Sequence, residues 1–315
     1  MVTDLASAPP SRAPFAWLAN QPYLLLSLTS LFWAGNAIVG RYSAGHIPPV
    51  TLSFIRWTGA LLVVLPFAWP YLKRDWPLVR ARLGVMLVIS ITGISAFNTL
   101  QYSALEYTQA LNVLLLQSAV PLVVAVWSLV LLGVRLTWAQ AAGIAASICG
   151  VMVILLRGDL TALGSITFNR GDLIFTVGLV VIGFYSVMTL KRPAIHPWSF
   201  LAFTFGCGAL FLVPPLIWEL MARPVMHVTV PNLLSLGYVI VFPSVLSYLC
   251  FNRGVQLIGA NRAAPFFHLI PVFGAAMAIF FLGETMHLFH VIGFALVIAG
   301  VFFAARKPRN TTSAA

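Results

Sequence analysis

Charge is what this sequence has least of: 18 Lys plus Arg and 7 Asp plus Glu make up 8% of its 315 residues, against 60% hydrophobic residues. A water-soluble domain carries roughly 25% charged residues. A soluble Rossmann-type enzyme, a secreted disulfide scaffold and a disordered hub are therefore excluded, and a mean hydropathy of +0.97 makes lipid the solvent. Cysteine is equally scarce. Cys149, Cys207 and Cys250 all fall in apolar stretches and read as buried small hydrophobes rather than a disulfide or metal set. Acid is scarcer than base. Asp4, Asp75, Glu106, Asp159, Asp172, Glu219 and Glu284 each map to a tail, a loop or a helix end. With no carboxylate mid-membrane, the usual proton or sodium relay has no visible carrier. No Walker A loop and no HExxH-type cluster occurs, so neither a cofactor nor a metal is expected. The net charge of +11 then reports topology and not nucleic-acid binding.

What is present is a set of long uncharged stretches: residues 13–40, 83–105, 107–134, 136–156, 173–190, 193–218, 224–252, 263–283 and 285–305, with a tenth from Pro48 to Leu72 interrupted only by Arg56. A helix needs ~20 residues to cross hydrocarbon, and a barrel strand only ~10 of alternating character. The expected fold is an all-α integral membrane protein with ten transmembrane helices. A cytoplasmic N-terminus puts Arg12, Lys73, Arg74, Arg80, Arg82, Arg135, Lys191, Arg192, Arg253, Arg262, Arg306, Lys307 and Arg309 inside, and only Arg157, Arg170 and Arg223 outside. Thirteen against three predicts both termini inside. The first twelve residues lack a basic segment followed by a short apolar run and cleavage site, so the opening helix is expected to stay in the mature protein.

A shift of 150 residues aligns Pro121 with Pro271, Leu132-Gly133 with Leu282-Gly283, Gly143 with Gly293, Gly150 with Gly300, Ala110 with Ala260, and Arg41 with Lys191. One offset serving all of them predicts five helices twice. Five is odd, so the second copy starts from the opposite face: a 5+5 inverted repeat, N-in and C-in, suited to alternating access. The expected organisation is a cytoplasmic tail (1–21), a first repeat (22–156), a periplasmic linker (157–171), a second repeat (172–305) and a cytoplasmic tail (306–315).

The residues also carry a family resemblance. Gly259-Ala-Asn-Arg-Ala-Ala-Pro-Phe-Phe-His-Leu-Ile-Pro271, then Phe281-Leu-Gly-Glu284, Ile292-Gly293 and Ala299-Gly300, with Trp33-Ala-Gly-Asn36 and Arg56 earlier, resemble an EamA-type member of the drug/metabolite transporter superfamily, over about residues 22–305. Within it the similarity points to YddG-type exporters of aromatic amino acids. One departure is that the Glu usual after Leu-Gly is present at Glu284 but replaced by Val134 in the first half.

Among intramembrane polar residues, Asn98 and Tyr102 lie four apart on one helical face, and the offset maps them onto Tyr248 and Asn252, the same types exchanged. Two readings stand: hydrogen-bonded glue between helices, or the wall of a substrate cavity. His268, three residues before Pro271, pairs by offset with Ser118 before Pro121; prolines free carbonyl groups and bend helices where transporters place substrates and gates, so both are substrate-site candidates, with His268 read either as facing the cavity or as a satisfied packing contact. Trp33, Tyr185 and Phe267 are candidates for aromatic wall. Gln101 and Gln117 read as helix bridges. Arg56 costs about 2.5–3.5 kcal/mol near a helix centre. It reads either as an anchor snorkelling to the outer interface or as a substrate-binding group, and Arg41 reads likewise.

The expected function is export of small organic solutes, chiefly amino acids including aromatic and large apolar ones, by uniport through a bacterial inner membrane. The expected partners are the small-molecule substrate and the lipid bilayer, with no nucleic acid; the protein is read as a monomer, with an oligomer as the alternative, and not as an enzyme. The alternatives are a proton-coupled drug/metabolite antiporter, which wants a membrane acid, and a membrane-embedded enzyme, which leaves the repeat unexplained.

Overall fold

The computed structural model describes residues 17–133, 138–158, 169–258 and 263–305, and these form helices joined by short loops, with no strand among the described residues. The expected tails, most of the linker, and Val134 lie outside the described residues, apart from Trp17–Gln21 and the linker edges. The helices are α1 (Pro22–Ser43), α2 (Pro49–Ala81), α3 (Leu83–Leu105), the broken α4 (Ala110–Gln117 and Val120–Leu132), α5 (Trp138–Leu155), α6 (Arg170–Lys191), α7 (Pro197–Ala222), α8 (Val230–Ile258), α9 (a 3₁₀ turn Ala264–His268 running into Leu269–Leu282) and α10 (Leu288–Ala305). Six of these, α1, α2, α3, α6, α7 and α8, are long and apolar enough to cross a membrane; α4 makes a seventh if its pieces, bent by 45°, are one span. The apolar parts of α5, α9 and α10 are shorter. The charged stretch after Leu72 does not end α2, which runs on to Ala81 through Pro70 and Pro77.

The 150-residue offset recurs in the backbone. Gly133 closes α4 and Gly283 closes α9, both left-handed at φ 67° and 64°, a conformation that only glycine adopts without strain. Both α4 and α9 change character just ahead of a proline: α4 breaks at Ser118–Ala119, before Pro121 at the start of its second piece, and α9 passes from 3₁₀ to α at Leu269, ahead of Pro271. The third pair is the most informative. α3 widens into π turns over Ser90–Ala96 and α8 over Val241–Leu246. In α8 the cause is Pro243, whose missing N–H and ring expel the α pattern. In α3, Gly93 between Ser90 and Ser95 loosens the same register.

α5 packs along α10. A Cβ on Gly150 would lie 2.5 Å from the Gly293 carbonyl oxygen and 2.8 Å from the Val297 nitrogen, and one on Gly293 would lie 2.5 Å from the Ile154 side chain. The two backbones therefore touch and run antiparallel, the geometry small residues allow between membrane helices.

Helix starts are capped across the halves. Glu219 on α7 accepts from the N–H groups of Val50 (3.0 Å) and Thr51 (2.7 Å) at the start of α2, and Glu284 accepts from Ala110 and Leu111, both at 2.8 Å, at the start of α4. At the opposite end of the bundle Asp75 on α2 accepts from His196 N–H (2.8 Å) and Ser199 Oγ (2.7 Å) at the start of α7. Each carboxylate is buried, and each satisfies donors that a helix start leaves orphaned. The three thiols are free. Cys149 departs from the expected burial: it is exposed on the outward face of α5, and Cys207 and Cys250 are half-buried.

Candidate functional site

The π turns of α3 and α8 bracket one cation. Arg56, in the first half of α2, is 3% exposed and does not snorkel. Its Nε donates to Ser244 Oγ at 2.7 Å, and its Nη1 lies within bonding distance of Asn36 Oδ1 (3.0 Å), Asn98 Oδ1 (2.8 Å) and the Tyr102 hydroxyl (2.8 Å). Its Cζ stands 4.3 Å from the centroid of the Trp57 ring. The acceptors come from α1, α3 and α8. Tyr102 O–H donates to Asn36 Oδ1 at 2.6 Å, which leaves the phenol oxygen free to accept from Arg56. Asn98 sits two residues past the α3 π turn and its Nδ2 donates to the Gly93 carbonyl (3.1 Å) five residues back. Ser244 lies inside the α8 π turn and donates to the Val239 carbonyl (2.8 Å), also five back. The wide turns thus aim two polar side chains at one point, the use π turns commonly serve at functional sites.

Beside this polar knot runs a chain of rings. Trp57 meets Phe205 at 4.9 Å between centroids, Phe205 meets Tyr248 at 6.0 Å, Tyr248 meets Trp33 at 6.1 Å, and Trp33 stacks on Phe267 at 5.5 Å. Trp33 Nε1 donates to the Pro243 carbonyl (3.2 Å), a group that the π turn of α8 presents. Tyr185 lies against Gly93, where an added Cβ would stand 2.2 Å from its ring, and beside the Tyr248 hydroxyl.

The structure therefore brings together Asn98 and Tyr102 around Arg56, and Trp33, Tyr185 and Tyr248 beside them. Asn252 is half-buried and its side chain makes no hydrogen bond to a described residue, so the two exchanged pairs do not mirror each other. The offset explains why: Arg56 maps onto Gly206. His268 is half-buried at the end of the α9 3₁₀ turn without a hydrogen bond to any described residue, and Ser118 Oγ is sealed in without a partner. Pro121 is exposed and Pro271 buried. Arg41 donates from Nη1 to the Leu105 carbonyl at 2.6 Å, an anchor at the α3 end. Sequence reasoning missed Asn36 and Ser244 as members of the knot; the available signal was that a mid-span guanidinium must collect acceptors from neighbouring helices.

It also missed a second polar group, at the end where Glu219 and Glu284 cap. Asp172, fully buried at the start of α6, accepts from Thr108 Oγ1 and from Asn112 Nδ2 (3.2 Å to each oxygen). His290 on α10 accepts the His287 N–H at Nδ1 (3.0 Å) and so presents Nε2–H to Asn112 Oδ1 at 2.8 Å. The network ties α4 to α6 and α10, and the Arg223–Glu106 ion pair (2.6 Å) adds an exposed tie nearby. Among the described residues no cluster of three His, Cys, Asp or Glu could hold a metal.

A family model described as the EamA-like transporter family matches residues 20–156 and again residues 169–306. The chain belongs to the EamA-like transporter family. It is a multi-pass membrane protein of a family that moves small molecules, and a transporter and not an enzyme. Similar proteins include the uncharacterized transporter YyaM of Bacillus subtilis, 29% identical over 92% of this chain and 96% of that one. A protein named probable terminal-alkyne amino-acid exporter, of Streptantibioticus cattleyicolor, is 27% identical over 90% of this chain and 92% of its own. One named probable amino-acid metabolite efflux pump, of Salmonella typhimurium, is 26% identical over 90% and 95%. A chain from a crystal structure superposes with a TM-score of 0.61 at 19% identity, covering 92% of this chain and 96% of its own, which speaks for the fold alone.

Proposed function

We propose that this EamA-like transporter exports amino acids and related metabolites, the aromatic and large apolar ones included, through a bacterial inner membrane by alternating access. The observation that carries this reading is the meeting of a buried polar knot with a run of rings where the α3 and α8 π turns face each other. Carriers built from paired repeats bind solute near the midplane where helices depart from the α pattern. Tyr248, Trp33 and Tyr185 offer the solute ring surface, and Asn98 and Tyr102 offer polar edges, with His268, Ser118 and Asn252 on the flanks. Two relatives carry names that refer to amino-acid export or efflux, which favours this substrate class.

The architecture we propose is ten spans as a 5+5 inverted repeat, residues 22–156 and 172–305, with both termini cytoplasmic. The antiparallel contact of α5 and α10 and the paired π turns support it. Pro121 and Pro271 then mark the bends about which each half rocks. Transport runs down the solute gradient, because every described carboxylate is engaged in a cap, an ion pair or the Asp172 network.

Two measurements test the proposal. Purified protein in liposomes should take up amino acids with equal pH and sodium on both sides; uptake that appears only with an imposed ion gradient overturns uniport, and no uptake of any amino acid overturns the substrate class. In a cysteine-free background, Gly45→Cys should label from the periplasm and Arg192→Cys from the cytoplasm. Labelling from one side defeats the topology.

A further inference from the structure

The Arg56 guanidinium carries five N–H donors. Nε is used by Ser244, and the two hydrogens of Nη1 are shared among Asn36, Asn98 and Tyr102. Nη2 makes no hydrogen bond to any described residue, so its two N–H groups are left over, one beside the engaged Nε and one beside the engaged Nη1. The charge is unspent as well. All four partners are neutral oxygens, which orient a cation without neutralising it. The described carboxylates are occupied elsewhere: Asp75 at the start of α7, Glu219 at α2, Glu284 at α4, Asp172 with Thr108 and Asn112, and Glu106 with Arg223. A buried guanidinium held through Nε and Nη1, open at Nη2 and lacking an acid is complementary to a carboxylate, whose negative charge and acceptor oxygens match the N–H groups that remain.

We propose that Arg56 recognises a carboxylate of the transported solute, so that the carrier takes monocarboxylates with an apolar or aromatic body. The rings supply the rest of the selectivity. The run passes from Trp57 beside the guanidinium through Phe205, Tyr248 and Trp33 to Phe267; Trp57 and Phe205 are buried, so the ring surface left for the body of a solute anchored at Arg56 is that of the half-buried Tyr248 and Trp33 and the exposed Phe267. Arg56 has no counterpart in the second half, where Gly206 stands, so one carboxylate is bound per carrier. The inference rests on the proposed transport of amino acids and deepens it by naming the group that is read.

The test uses matched trios on the purified full chain in liposomes: phenylalanine, its deaminated acid 3-phenylpropionate, and its decarboxylated amine phenethylamine, followed by the leucine trio. The parental protein should take up the acid forms at least about ten-fold faster than the amine, the loss expected for one charge-assisted bond. Arg56→Gln should bring that preference below about two-fold. If Arg56→Gln yields no monodisperse protein, Ser244→Ala replaces it. That variant frees Nε but keeps the cation, and should keep the preference while raising KM. Equal uptake of acid and amine by the parental protein overturns the proposal, as does an Arg56→Gln variant with the parental preference. So does amine uptake that requires chloride, which would mean that an inorganic anion sits on Arg56. Uptake of 3-phenylpropionate with refusal of phenylalanine rejects the amino-acid reading alone and leaves the carboxylate site standing. If nothing is transported, thermal melting decides: stabilisation by 3-phenylpropionate but not phenethylamine, lost in Arg56→Gln, supports the site, and no stabilisation overturns it.

Discussion

The two halves of the molecule agree wherever the chain must hold itself together and disagree where the polar knot lies. Gly133 and Gly283 turn the same way, the π turns of α3 and α8 share a register, and α5 and α10 touch through Gly150 and Gly293. Yet Asn98 and Tyr102 close on Arg56, whereas Tyr248 packs against Trp33 and Phe205 and the Asn252 side chain makes no hydrogen bond to a described residue. On the proposed reading, the duplicated framework would supply two bends and two rocking halves, and the single asymmetric cation one binding event, so that symmetry belongs to the moving parts and is given up at the cargo.

The comparison is sharpest where the framework is tightest. Gly150→Leu and Gly293→Leu both force a side chain into backbone, and each should lower stability by about 3 kcal/mol, the upper end of usual overpacking. Detergent melting temperatures that fall for one variant and not the other would break the symmetry of the framework. Next comes the site. Asn98→Ala removes a charge-assisted bond from a buried guanidinium and should cost about 1.5–3 kcal/mol together with transport. Asn252→Ala, at the offset position of Tyr102, should stay within about 0.5 kcal/mol of the parent. Equal costs for the two would restore a two-fold site. Glu219→Ala and Glu284→Ala each remove a cap and should each cost about 1–2 kcal/mol, read by the same melts. The smallest effect on stability is expected for Tyr248→Phe, within about 0.5 kcal/mol, while its uptake rate in liposomes falls about two- to ten-fold through loss of one neutral hydrogen bond. Unchanged uptake would remove Tyr248 from the site.

Much of this was legible in one sequence because the signals are local or periodic. Low charge and long apolar stretches dictated membrane helices, and a constant offset tied Pro121 to Pro271 and Gly133 to Gly283. Asn98 and Tyr102 were legible as a pair because four residues make one helical turn. Asn36 and Ser244 were not, since they reach Arg56 from sequence distances of 20 and 188 residues, and helical spacing cannot say which face of one helix meets another. The same limit hid the direction of Arg56. Depth along a span can be counted, but whether a long side chain rises to the interface or turns inward depends on the acceptors that other helices bring. Cys149 failed for a related reason: apolar context does not distinguish lipid from protein as the neighbour.

The caps between halves impose an order on how the protein is made. The N–H groups that open α2 and α4 are satisfied by Glu219 and Glu284, which are translated after the first half is complete, and the start of α7 is satisfied by Asp75, which waits for it. While the ribosome is still working through the second half, the donors at two helix starts of the first half lack the carboxylates that satisfy them in the finished protein. Residues 1–158 expressed alone should be short-lived, and co-expression with residues 159–315 should lengthen their lifetime by closing both sets of ends at once.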